Sequence, residues 1–470
     1  MSEEKRMNIV YKVIKTPRHC YIYDRGRNAI LAVSGAETEE MEKINSGQIN
    51  PETSLVLKKF QDNGFLMENT VNRIEHPCSN SLEHYLSNHI EKLTLQVTQR
   101  CNLRCEYCIY SGNYDTRTHA DLDMDFDTAK KAIDFYLEHS SEMKVLTVAF
   151  YGGEPLLNFK LIKQCVEYIN PQILGRQIIY SMTTNGTLLN EAIIKFLIQN
   201  NFAVMISMDG SQKEHDQHRK FQNGKGSFKV IQKNLREIKK NHPDYFSRIT
   251  FNSVLNPDND YKSIKDYFEM DELIADSEIF TNIVEAEDTT SDIKFSERFS
   301  TINKFDYMKL CLFMIGKLDE EDVSKLVLVK KSFIYERYHQ IIKKAPIGDT
   351  CHHSGPCIPG TRRLFINVQG YMFPCERVSE TSPIMRIGHV ETGFDIERAR
   401  RLLNVGKVTE DVCKNCWALL HCNQCAQKAD GKDHLSRELK MRHCAKSRQE
   451  TYFNLRDLCV LKEFNCTFER

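Results

Sequence analysis

The sequence predicts an α/β protein on three observations: a repeated strand-then-helix pattern over residues 90–285, short alternating strands before it, and a cysteine-rich segment after it. The repeated strands are Leu93–Thr98, Val145–Tyr151, Ile178–Thr183, Ala203–Met208, Ile249–Leu255 and Ile279–Val284. Between them lie amphipathic stretches such as Phe126–His139, Asn190–Asn200 and Val230–Lys240. Strands alternating with helices pair in parallel through right-handed crossovers, in either an open sheet or a barrel. Such sheets bind ligands at their C-terminal strand ends, so the polar residues there are the candidate site.

Residues 1–75 read as a separate unit. Ile9–Ile14, Tyr21–Tyr23 and Ala29–Val33 alternate, with Asp24-Arg25-Gly26-Arg27-Asn28 as the turn between the last two, so a small antiparallel sheet is expected. Two short helices follow, near Thr38–Ile44 and Pro51–Asp62, the second stopped by Asn63-Gly64. This layout resembles the winged-helix peptide-recognition elements of enzymes that mature ribosomally made peptides. The resemblance implies a leader peptide that adds a strand to an exposed sheet edge. A polar linker near His76–Asn80 leads into the central repeat. Residues 286–345 are charged and helical in pattern, most clearly over Tyr307–Lys317 and Ser332–Lys343, and read as a bridge; residues 451–470 read as a C-terminal tail.

Lysine plus arginine equals aspartate plus glutamate at 64 each, so net charge points to neither nucleic acid nor an anionic membrane. Met1 to Lys12 lacks the apolar core of a signal peptide, and no run approaches the roughly 18 apolar residues of a membrane span. The expectation is a cytoplasmic protein without nucleic acid or membrane as partner. Its 17 cysteines would stay reduced there, and their clustering in 101–108 and 351–444 argues for metal ligation. Cys20, Cys78, Cys165, Cys311, Cys459 and Cys466 fit no spacing pattern and read as ordinary thiols.

The first central strand is followed by Cys101-Asn102-Leu103-Arg104-Cys105-Glu106-Tyr107-Cys108, a C-x3-C-x2-C loop. Three thiolates on one tight loop can hold three irons of a cubane cluster and leave the fourth without a protein ligand. A zinc site is the weaker reading, because no C-x2-C or H-x3-H partner follows within a few dozen residues. The polar Asn102, Arg104 and Glu106 also make the loop a poor core segment. The motif resembles that of the radical S-adenosylmethionine (SAM) family, which carries an aromatic residue before the last cysteine, here Tyr107. That resemblance implies a partial (β/α)6 barrel and a [4Fe-4S] cluster on Cys101, Cys105 and Cys108. It further implies SAM bound to the open iron through its amino and carboxylate groups and cleaved to a 5'-deoxyadenosyl radical.

The second strand ends in Tyr151-Gly152-Gly153-Glu154-Pro155. Paired glycines allow close backbone approach to a ligand, and a neighbouring carboxylate can accept from an ammonium. The segment resembles the family's GGEP motif, which binds the SAM amino group. Thr184 and Asn185 at the third strand end, with Ser207 and Asp209 at the fourth, suit ribose and carboxylate contacts. They look like the segments lining the SAM site in peptide-modifying members, though Asn185-Gly186 and Asp209-Gly210 are also good turn pairs.

Beyond residue 346 the chain reads Cys351-x5-Cys357-x12-Gly370-x4-Cys375, then Cys413-x2-Cys416-x5-Cys422-x2-Cys425-x18-Cys444. Eight thiols divide evenly into two four-cysteine clusters, and two zinc ribbons would use the same count. The segment, placed at 346–450, resembles the SPASM domain, which binds two auxiliary iron-sulfur clusters. The family usually has three residues between its sixth and seventh cysteines, where this chain has two, Asn423 and Gln424. By that resemblance Cys351, Cys357, Cys375 and Cys425 hold one cluster, and Cys413, Cys416, Cys422 and Cys444 the other, making three [4Fe-4S] clusters in all. Glu376 occupies the place where a carboxylate acts as base in related sulfatase-maturing enzymes; otherwise it reads as an ion-pair partner of Arg362 or Arg377.

These resemblances imply an oxidoreductase that installs thioether crosslinks from cysteine sulfur to carbon in a cysteine-rich precursor peptide with a leader. An electron donor such as a flavodoxin or ferredoxin would serve it. The alternatives are formylglycine formation in a sulfatase, carbon-carbon crosslinking, or a non-catalytic iron-sulfur electron carrier. The carrier leaves the open-iron loop and the GGEP strand end unexplained.

Overall fold

The computed structural model describes residues 7–111, 113–114, 116–173, 175–284, 296–343 and 346–468. The first residues of the N-terminal unit, the start of the expected bridge and the end of the expected tail lie outside them.

Near the N-terminus, β1 (Tyr11–Lys15), β2 (Cys20–Asp24) and β3 (Ala29–Val33) form an antiparallel sheet in that order, followed by helices Gly35–Asn45 and Leu55–Asp62. Alternation divides the sheet into two apolar faces. Tyr11, Val13 and Ile22 face the two helices through Met41, Ile44 and Leu57. Ile14 and Tyr23 on the other face meet Leu455 and Cys459. The latter belong to the helix Cys444–Glu463, which corrects the expected tail. Its buried Leu455, Leu458 and Leu461 make it a structural column against both this sheet and the helices of the bridge, Glu297–Met314 and Lys330–Lys343.

Two residue pairs, β4 (Arg73–Ile74) and β11 (Thr350–Cys351), join in parallel and bring the linker against the cysteine-rich segment. The central sheet holds β5 (Lys92–Thr98), β6 (Val145–Gly152), β7 (Gln177–Thr184), β8 (Phe202–Ser207), β9 (Thr250–Leu255) and β10 (Ile279–Ile283), each parallel to the next. They are the six predicted strands, with no end displaced by more than one residue. Their apolar residues and those of the crossover helices make one continuous core.

The sheet does not end at β5. From the cysteine-rich segment, β12 (Leu364–Ile366) pairs parallel to β5 and antiparallel to β13 (Tyr371–Phe373), followed by β14 (Gly388–His389) and β15 (Gly393–Phe394). The result is one open ten-stranded sheet, so the expected boundary at 346 is not a boundary in the core. Leu364, Phe365 and Ile366 are fully buried and complete the edge that β5 would otherwise expose. Gly370 turns the hairpin at φ 84°, as its place before Tyr371-Met372-Phe373 predicts. No described helix is long and apolar enough to cross a membrane.

Candidate active site

The cysteine loop leaves β5 and is pinned at the ends of the neighbouring strands. Asn102 Nδ2 donates to Thr187 Oγ1 (2.8 Å) and Asn102 Oδ1 accepts from Asn185 Nδ2 (2.8 Å). The Arg104 amide donates to the Lys220 carbonyl (2.7 Å) and Leu103 bridges to Phe221. Burial pushes the Cys101 and Cys105 thiols up to about 12 and raises Cys108 as well. The three thiols lie within electrostatic range of one another.

The GGEP segment clamps this loop to the sheet. The Gly153 amide donates to the Thr98 carbonyl (3.0 Å) and the Glu154 amide to the Arg100 carbonyl (2.9 Å). A Cβ on Gly152, at φ 146°, would lie 2.0 Å from the Thr98 oxygen, and one on Gly153 would lie 2.2 Å from the Arg100 oxygen. The approach of one strand end to another therefore requires glycine at both positions. Pro155 opens the turn Pro155–Asn158.

The carboxylates also turn inward. Glu154 Oε1 accepts from Thr184 Oγ1 (2.7 Å) and the Leu156 amide (3.1 Å), and Oε2 accepts from the Asn185 amide (2.7 Å). Three protein donors thus meet a carboxylate that has about four acceptor sites, which fixes its orientation at the strand ends. Asp209, 1% exposed, accepts from Arg219 Nε (2.8 Å), the Val254 amide (3.0 Å) and the Tyr107 hydroxyl. Asp209 thereby supports the cysteine loop through the Tyr107 hydroxyl. Ser207 is buried on β8, opposite Asn252 of β9.

Sequence reading missed Arg219. Its guanidinium lies 5.4 Å from the Tyr107 ring centre and within electrostatic range of Cys105 and Cys108. No local motif marks it; only the fold carries it from the helix after β8 to the cysteine loop.

A second polar centre lies between the cysteine loop and the cysteine-rich segment. Arg117, 3% exposed, pairs with Glu380 and donates to the Val378 carbonyl (3.1 Å). Gln96 Nε2 donates to the Tyr110 hydroxyl and to Glu380 Oε1, both at 2.7 Å. Burial raises Tyr151 to about 12, and this ring is within electrostatic range of Arg117, Cys108 and Glu376. Glu376 pairs with Arg363, not Arg362 or Arg377, and its other oxygen, Oε2, is buried without a partner. Tyr151 thus stands between the loop of Cys108 and the carboxylate beside Cys375.

Of the eight C-terminal thiols, Cys425 lies within electrostatic range of Cys357, and Cys375 of Cys425. Cys413, Cys416 and Cys422 are similarly near one another, with Cys444 near Cys416. Cys351 packs in the apolar cluster that holds Cys413, whereas the resemblance assigns it to the set with Cys357.

No three His, Cys, Asp or Glu side chains among the described residues are poised around a single metal ion. A cubane makes a different demand, since its thiolates sit at separate corners. The donor chemistry fits such groups: three mutually near thiols on one polar loop, and two further thiol sets in the cysteine-rich segment. Because burial keeps many of these thiols protonated, metal loading must release protons.

The sequence profile of the Radical SAM superfamily matches residues 95–270. A cysteine-type anaerobic sulfatase-maturating enzyme of Clostridium novyi is 25% identical over 73% of this chain and 89% of that one. The radical SAM cyclopropyl synthase TigE of Paramaledivibacter caminithermalis is 30% identical over 47% of each chain. An uncharacterized Methanocaldococcus jannaschii protein is 43% identical over 29% of this chain and 45% of that one. The chain therefore spans about half the length of these last two relatives. The solved structure of native anSMEcpe with bound AdoMet and Cp18Cys peptide shares the fold, with TM-score 0.57 and 20% identity over 79% of this chain and 99% of that one. Joined to the cysteine loop at the sheet's C-terminal end, these likenesses establish that the chain carries a radical SAM domain and is homologous to the anaerobic sulfatase-maturating enzymes.

Proposed function

We propose that this protein is a radical SAM maturase that forms thioether crosslinks in a cysteine-rich ribosomal peptide. The observation that carries the peptide substrate is the extra portion of the chain. About a fifth of it lies outside the match to anSMEcpe, which is itself covered almost completely. The N-terminal sheet also presents two strands, β1 and β3, each paired on one side only, where an extended leader could pair.

Cys101, Cys105 and Cys108 would hold the SAM-binding cluster, and the eight C-terminal cysteines two auxiliary clusters. When bound, the first cluster would supply the electron that cleaves SAM to the 5'-deoxyadenosyl radical, which removes a substrate hydrogen atom, and the auxiliary clusters would supply a sink for the electron released as carbon closes onto sulfur. The protein's own part is positioning and proton transfer. Asn102, Asn185 and Thr187 hold the loop, and Asp209 with Arg219 fixes the ring of Tyr107. Glu376 Oε2, unpartnered and held in place through Arg363, would take the proton of the substrate thiol.

Formylglycine formation is the second reading, favoured by the extent of the likeness to the sulfatase-maturating enzyme and by the carboxylate next to Cys375. Mass spectrometry of a cysteine-rich precursor peptide, incubated anaerobically with enzyme, SAM and reductant and then alkylated, separates the two. Thioether formation removes two hydrogens and one alkylatable thiol per event. An unchanged thiol count alongside 5'-deoxyadenosine sinks the crosslink to sulfur, and a sulfatase-derived cysteine or serine peptide converted to an aldehyde installs the second reading.

A further inference from the structure

Lys440, on the short helix Arg437–Arg442, is 1% exposed and among the largest fully buried side chains in the protein. Lysine is almost never fully buried without a counter-charge, because removing an ammonium from water costs several kcal/mol. No carboxylate among the described residues forms an ion pair with it. Its Nζ donates to Thr409 Oγ1 (3.0 Å) and approaches Cys413 Sγ (3.9 Å). The Thr409 hydroxyl also contacts Cys413 Sγ (3.2 Å), and the Cys444 thiol lies 3.7 Å from the Lys440 carbonyl. Beside them His353 is 2% exposed, and both of its ring nitrogens lack a partner. The buried ammonium thus stands beside the thiols of Cys413 and Cys422, with no carboxylate among the described residues paired to it.

We infer that Lys440 is the built-in counter-charge of an anionic four-thiolate iron-sulfur cluster on Cys413, Cys416, Cys422 and Cys444, and that it raises this cluster's reduction potential. Reduction adds negative charge to a group that is already anionic, and an ammonium held within a few ångströms in a low-dielectric interior favours the more negative state. The polar Thr409 anchor keeps the ammonium at that distance.

The inference rests on reading the C-terminal cysteines as iron-sulfur ligands. That reading fails if anaerobically reconstituted protein carries iron for one cubane only, or zinc at these cysteines, and either finding overturns the inference with it. The inference itself is tested by EPR-monitored redox titration of reconstituted protein, in a background with Cys101, Cys105 and Cys108 replaced by alanine to silence the SAM-site signal. Lys440→Met and Lys440→Gln remove the charge at similar side-chain length, and Lys440→Arg keeps it. At a fixed poise the reduced-to-oxidised ratio of one auxiliary signal should fall at least tenfold in the Met and Gln variants, a shift of about 59 mV for a one-electron couple. The Arg variant should stay near the parent. Unchanged potentials at full iron content refute the inference. Loss of four irons in the Met and Gln variants alone upholds the need for the charge, whereas the same loss in all three shows a packing role and overturns it.

Discussion

Replacing Arg219 by glutamine tests the support that sequence reading missed. In the folded chain Asp209 accepts from Arg219, from the Val254 amide and from the Tyr107 hydroxyl. The variant leaves that buried carboxylate with two neutral donors. Breaking a buried ion pair from one side costs about 3–5 kcal/mol, and the lost stacking on Tyr107 adds about 0.5–2 kcal/mol. Removing both charges, in Asp209→Asn with Arg219→Gln, leaves no buried ion. It should cost less than the single variant, with a coupling energy on the order of 2 kcal/mol. Because a chain of several packed units need not unfold in two states, local hydrogen exchange is the suitable assay. Amides of β8 and of the loop 101–108 should lose roughly a thousandfold in protection in the single variant, since 1.4 kcal/mol is about a factor of ten. Burial raises the Asp209 carboxyl, but the Arg219 guanidinium beside it outweighs burial and holds it below the usual carboxylate range. A depressed carboxylate stabilises the fold fully above its unfolded pKa, near 3.9, and loses that contribution as pH falls through the folded value. The deficit of the variant should therefore be full at pH 7 and shrink only in acid. A protection loss below tenfold, or a double variant as damaged as the single, refutes the reasoning.

Glu154→Gln puts an amide where both oxygens accept from protein donors, leaving one buried donor opposed; it should cost about 1–3 kcal/mol and weaken SAM binding to reconstituted enzyme, measured by calorimetry. Gly153→Ala drives a Cβ into the Arg100 carbonyl and should abolish 5'-deoxyadenosine formation, with thermal melting reporting the accompanying loss of stability. Glu376→Gln should leave SAM cleavage intact while product formation falls by about 10²–10⁴-fold, the usual worth of a general base, in a paired assay of 5'-deoxyadenosine and modified peptide. Equal loss of both would make Glu376 a structural partner of Arg363.

The order of strands and helices, the loop of Cys101, Cys105 and Cys108, and the two thiol-rich runs were all legible in the sequence, because each is a local signal. Short strand-like runs repeated between amphipathic stretches mark β5 to β10, a fixed spacing marks the cysteines, and Gly370 before an apolar triplet marks a hairpin. Side-chain direction was not legible. Glu154 and Asp209 stand at strand ends in residue types suited to a ligand, yet the fold places donors of its own around each, since a buried carboxylate must be satisfied by whatever lies nearest. The pairing of β12 with β5, the service of Arg219 to a loop more than a hundred residues earlier, and the burial of Lys440 beside Cys413 all depend on distant segments meeting. The sequence by itself determined which groups were available for iron, SAM and proton transfer. Only the tertiary structure decided which of them face one another, because contact across hundreds of residues is set by the packing of the whole core and leaves no mark in local spacing.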